Sequence, residues 1–138
     1  MVPKARWNGQ SLDMDFAMSD ADLDRIAGRG AVLIQIAEPA IEGVEGLDPK
    51  KLHALRVEYL RRMRDHLKER GLGYDQYGLY PVDEPGLDYG PRIPAFMAAA
   101  TLFREADPQM RIYTDPVPGL SLRDFNQIAP FVDIWCPK

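Results

Sequence analysis

Two acidic side chains stand side by side in the run Tyr80-Pro81-Val82-Asp83-Glu84-Pro85-Gly86. Adjacent carboxylates repel one another, and a carboxyl that holds its proton near neutrality is a general acid. The run before them, Tyr77 to Val82, reads as a strand, which puts Asp83 and Glu84 at its C-terminal end. Ligands of parallel α/β folds bind at that edge. Neighbouring residues of a regular strand point to opposite faces. Both acids therefore reach one pocket only if the chain bends between them, and Pro85 and Gly86 supply the means.

Other side chains could serve the same edge. Trp135 closes the run Val132-Asp133-Ile134-Trp135, and an indole face there can stack on a sugar ring. Asp115 follows Tyr113-Thr114, and Glu38 follows the run ending at Ala37; either carboxylate could bind a sugar hydroxyl. Tyr80 and Tyr89 flank the acids, with Tyr80 better suited to the core. His53 and His66 are too far apart in sequence to share a helical metal-ligand spacing, so they read as solvated helix histidines. Gly71-Leu72-Gly73 closes a helix and opens none, so it is no phosphate loop. The serines lack a nucleophile-elbow context.

The elements that must position these residues come from periodicity. Ala31–Ile36 is short, β-branched and nearly all apolar, the pattern of a strand buried on both faces. Tyr77–Val82, Arg111–Thr114 and Val132–Trp135 are three more short runs. Asp48-Pro49 starts a helix, with Asp at the N-cap and Pro at the first helical position. Leu52, Leu55, Tyr59, Met63 and Leu67 form its apolar stripe, Arg61 to Arg70 supply a solvated charged face, and Gly71 fits its C-terminal cap. Ile93, Phe96, Ala100 and Phe103 mark a second helix ending near Asp107-Pro108. Ser121 caps a third, with Phe125 and Ile128 facing inward, and residues 20–27 form one more upstream of the first strand.

Strands alternating with helices imply right-handed βαβ units and a parallel sheet. Four such units in this length leave two α/β folds, a small open parallel sheet or, if the site chemistry points there, a partial TIM-type (β/α) barrel of about four parallel strands, a whole barrel taking about 250 residues. Residues 1–19 then form a barrel loop, and residues 20–138 an incomplete barrel domain truncated at its C-terminus, where no helix follows the last strand.

The 138 residues fit one domain. A net charge of −4 argues against a nucleic-acid partner. No run of about 18 apolar residues predicts a membrane span, and Met1 to Gln10 does not read as a secretory signal. Cys136 is the single cysteine, so neither an internal disulfide nor a cysteine zinc site can form. The compartment stays open.

The run Tyr80–Gly86, the segment Phe103-Arg104-Glu105-Ala106-Asp107-Pro108 and the closing Val132-Asp133-Ile134-Trp135-Cys136-Pro137 resemble the catalytic domain of glycoside hydrolase family 123. The likeness spans roughly residues 20–138. It implies a (β/α)8 barrel with this chain covering its central strands, and a retaining β-N-acetylgalactosaminidase that needs no cofactor or metal. The substrate's 2-acetamido oxygen would attack the anomeric carbon, one of the exceptions to the two-carboxylate scheme. Glu84 would protonate the leaving oxygen and then activate water, while Asp83 would hold the acetamido N–H.

Two alternatives remain. One is a carbohydrate-binding or degenerate barrel without activity. The other is a metal-dependent lyase or aldolase using Asp83, Glu84 and Glu38 as oxygen ligands, for which no well-placed histidine is found. A half barrel would expose its sheet edges, so the chain is expected to pair with the missing strands or with a second copy, and to be inactive alone because strands outside it would complete the sugar pocket.

Overall fold

A computed structural model describes residues 2–26, 28, 30–86, 92–116 and 120–136. The chain runs β1 (Lys4–Trp7), β2 (Leu12–Asp15), α1 (Ala17–Ile26), β3 (Val32–Gln35), α2 (Pro49–Glu69), β4 (Tyr77–Tyr80), α3 (Ile93–Ala106), β5 (Tyr113–Thr114), α4 (Leu122–Ile128), a 3₁₀ turn (Ala129–Phe131) and β6 (Ile134–Trp135).

The helices form where the sequence places them. Asp48 caps α2, its carboxylate accepting from the amides of Lys50 at 2.9 Å and Lys51 at 3.2 Å. Leu55, Tyr59, Met63 and Leu67 are buried along its inner face. Gly71 ends it at φ +84°, and the Leu72 amide reaches back to the Leu67 carbonyl at 2.9 Å. That 6→1 bond needs the left-handed residue that glycine provides without strain. In α3, Ile93, Phe96, Ala100 and Phe103 are buried as the stripe requires, joined by Ala99, Leu102 and Ala106. Ser121 caps α4 by accepting from the Asp124 amide at 3.1 Å.

The strands do not form a partial TIM-type barrel of four parallel strands. They form three sheets of two strands each: β1 antiparallel to β2, β3 parallel to β4, and β5 parallel to β6. A single parallel bridge, Leu79 to Ile112, links the second pair to the third. Pairing is cut short at identifiable points. Pro81 follows β4 and Pro116 follows Asp115 after β5; neither has an amide to continue a ladder. At Ile112 the amide is taken by the Asp133 carboxylate at 2.7 Å. The face a barrel would seal is open, with Leu33 44% exposed.

Residues 4–15 form a hairpin. Its loop is set by Asn8, whose side-chain oxygen accepts from the amides of Gln10 at 2.9 Å and Ser11 at 2.8 Å, and by Gly9 at φ +95°. The hairpin is tied down through the Trp7 amide to the Glu42 carbonyl at 2.8 Å and the Tyr59 hydroxyl to the Pro3 carbonyl at 2.8 Å.

One core joins these parts. In β3, Val32 and Ile34 are buried while Leu33 and Gln35 are exposed. Leu79, Ile112, Phe96, Phe103 and Leu60 are wholly inaccessible. Each such side chain contributes roughly 1.5–3 kcal/mol on burial. The ends of β4, β5 and β6 are thereby held side by side, with their alternate residues on the open face. No described helix is long and apolar enough to cross a membrane.

Candidate functional site

The open face is organised around Gly78. A β-carbon there would meet Leu33 and Ile134 side chains at 3.3 Å and Tyr113 at 3.5 Å, so three strands converge on this glycine. Two residues on, Tyr80 leaves the same face, and its ring meets Tyr113 edge to face, 5.1 Å between centroids at 87°. Its hydroxyl lies between two carboxylates. It is in hydrogen-bond contact with Asp83 and sits 2.5 Å from Asp115 Oδ1. The backbone amide of Glu84 donates to the same Asp115 oxygen at 3.3 Å and approaches the Tyr80 oxygen at 3.4 Å. Arg92, at the start of α3, donates to the Asp83 carbonyl at 2.7 Å.

The strand's alternation is broken here. Glu84 has φ +47°, a left-handed conformation that non-glycine residues adopt at a cost. The bend expected from Pro85 and Gly86 is thus made at the second acid itself. Burial, then the hydrogen bonds to Asp115 and Asp83, raise the Tyr80 pKa, so its phenol stays protonated as a donor. The hydrogen bond with Cys136, with burial, pushes Tyr113 up to about 12.

The proposed residues divide into three places. Tyr80, Asp83, Glu84 and Asp115 come together. Trp135 does not join them: it stands in register with the buried Thr114, and its indole stacks on Phe125 of α4, 5.0 Å between centroids. Phe125 does not face inward as its spacing suggests; it is 41% exposed over that indole. Glu38 is paired to Arg56 of α2 at 2.5 Å and borders a groove of about 570 Å³ lined also by His53, Met97 and Leu102. A second hollow, of about 430 Å³, is lined by Leu23, Asp24, Arg70 and Gln76, beside the N-terminal ends of β3 and β4. The carboxylates lie at the opposite ends of these strands, and their chemistry, not enclosed volume, marks the site. Tyr89 lies outside the described residues.

The histidines are less free than their helix positions suggest. His66 Nε2 is 2.7 Å from Asp20, and its ring stacks on Phe16 at 3.9 Å. His53 meets Glu105 at 2.8 Å. Among the described residues no group of three or more His, Cys, Asp or Glu side chains is placed to hold a metal. The oxygen-ligand set Asp83, Glu84 and Glu38 is not assembled, because Glu38 is turned to Arg56. Sequence reasoning missed Arg92 and Tyr113. Tyr113 carries a readable signal, since it alternates with the buried Ile112 and Thr114 and so shares a face with Asp115.

Comparisons with family models, with characterised proteins and with solved structures found no match.

Proposed function

We propose that the Asp83–Glu84 pair is the acid–base centre of a glycoside hydrolase acting by substrate assistance on β-N-acetylgalactosaminides. One observation carries the reading. Two consecutive acids follow a strand end, and the first shares the half-buried Tyr80 phenol with Asp115. In this reading Asp83 accepts the acetamido N–H, which steers the acetamido oxygen onto the anomeric carbon. Glu84 gives its proton to the leaving oxygen as the oxazoline closes, then takes one from the water that opens it. General acid–base assistance of this kind contributes typically 10²–10⁴-fold.

A second reading is a carbohydrate-binding module without turnover, favoured by the open face on which the cluster stands. Acid–base catalysis gains from excluding water, and this face excludes little. A nitrophenyl β-N-acetylgalactosaminide assay with parallel calorimetry on N-acetylgalactosamine separates the two. Turnover that Glu84→Gln abolishes while sugar binding persists supports the hydrolase. Saturable binding without turnover in either protein supports the module. The expectation of an inactive chain rested on a half barrel that the strands do not build, so absence of both overturns the two readings together.

A further inference from the structure

We propose that Asp115 is a positioning residue for the Asp83–Glu84 pair: it anchors the Glu84 backbone in its left-handed turn and draws the Tyr80 proton, leaving Asp83 open to the substrate. The inference rests on the hydrolase reading for its chemistry and on the structure for its geometry.

A single oxygen, Asp115 Oδ1, takes both the Tyr80 hydroxyl at 2.5 Å and the Glu84 amide at 3.3 Å. It reaches them from the segment that follows β5, whereas the acids follow β4. Glu84 holds φ +47°, which a side-chain-bearing residue keeps only where its surroundings hold it there. The anchored amide belongs to that residue. Without it the turn relaxes toward strand geometry, which points neighbouring side chains apart.

The phenol adds a second function. Tyr80 has one proton and two carboxylates in reach. When the proton faces Asp83, it occupies the oxygen that the substrate N–H needs. When it faces Asp115, Asp83 is free to accept. The change is a rotation about the C–O bond, and no bond is broken. Burial and both carboxylates raise the Tyr80 pKa, so the proton remains on the phenol through the exchange. Arg92 does not compete for the Asp83 carboxylate, because its contact is with the backbone carbonyl. Tyr113, whose ring meets that of Tyr80 edge to face, is held protonated by Cys136 beside it and by burial, and so carries no charge into the cluster.

The test uses the whole chain with Asp115→Asn, Asp115→Ala and Tyr80→Phe, read by the Glu84 amide NMR signal and by steady-state kinetics. Asn keeps an oxygen for the Glu84 amide but loses the charge that draws the phenol proton. Its Glu84 signal should stay near wild type, and kcat should fall roughly tenfold with KM little changed, the loss of one hydrogen bond in the reaction. Ala removes both functions, so the Glu84 signal should move and kcat fall further. Tyr80→Phe removes the proton that occupies Asp83 and should make Asp115→Asn nearly silent when the two are combined. A Glu84 signal that does not move in Asp115→Ala overturns the anchoring. Equal kcat in wild type and Asp115→Asn overturns the proton exchange. If Asp115→Ala fails to fold by far-UV circular dichroism, the isosteric Asn and Phe variants decide through the kinetics and their combination. Absence of turnover in the wild type defeats the hydrolase reading, and the NMR arm still decides whether Asp115 holds Glu84.

Discussion

Arg104 Nη2 and Asp133 Oδ2 stand 2.7 Å apart, and that carboxylate oxygen also accepts the Ile112 amide at 2.7 Å. The same guanidinium donates to the carbonyls of Pro108 and Met110 at 2.8 Å and of Phe131 at 2.7 Å. One side chain thus ties the end of α3 to the segments entering β5 and β6. The work of Arg104 and Asp133 in this fold is to hold the strand that leads into Asp115.

Asp133→Ala should lower stability by about 1–3 kcal/mol, chiefly because the Ile112 amide loses its acceptor inside the fold. The ion pair itself is partly solvated and contributes less. Arg104→Lys should not substitute for Arg, since one ammonium cannot span four acceptors in a plane. Urea unfolding midpoints measure both, and an Asp133→Ala protein as stable as wild type would refute the assignment.

Asp107 predicts an acid-sensitive latch. It is buried, and accepts from the Tyr74 hydroxyl at 2.6 Å, the Arg64 guanidinium at 2.9 Å and the Gln109 amide at 2.8 Å. Burial alone would raise its pKa, but the bonds from Tyr74, Gln109 and Arg64 outweigh it and hold the carboxyl below the ordinary aspartate value. A folded pKa below the unfolded one stabilises the fold above the unfolded value, about 3.9, and that contribution is lost as pH falls through the folded pKa. Asp107→Asn should therefore be less stable than wild type at pH 7, with the gap narrowing below about pH 4. Urea titrations across that range read it directly, and a gap that stays constant with pH would contradict it.

Glu84 carries backbone strain that glycine would release. At φ +47° a residue with a β-carbon is disfavoured by roughly 1–2 kcal/mol. Glu84→Gly should exceed Glu84→Ala in stability by about 1 kcal/mol, although Gly at an ordinary site is the weaker choice. Both lack the carboxylate, so the comparison isolates the backbone. Calorimetric melting decides it; an alanine protein that melts at or above the glycine one would place Glu84 outside the left-handed region in solution.

The amino-acid sequence by itself determined the parts that depend on near neighbours. Asp48 and Pro49 start α2, the Leu55–Tyr59–Met63–Leu67 stripe buries it and Gly71 ends it, each through contacts a few residues long. The same holds for the buried stripe of α3 and the Ser121 cap. The acids at the end of β4 were legible for that reason. Tertiary structure decided how far strands pair and what their ends meet. Pro81 and Pro116 are visible in the sequence, yet the capture of the Ile112 amide by Asp133 depends on a fold that brings them together. Four strand-like runs therefore suggest a barrel that the pairing does not build. Trp135 closes one short run and Asp115 follows another, but the register of β6 on β5 sends the indole to Phe125, while Asp115 meets Tyr80. Caps and stripes are local energies written in consecutive letters; a phenol between two carboxylates is a meeting of strands, and only packing brings them side by side.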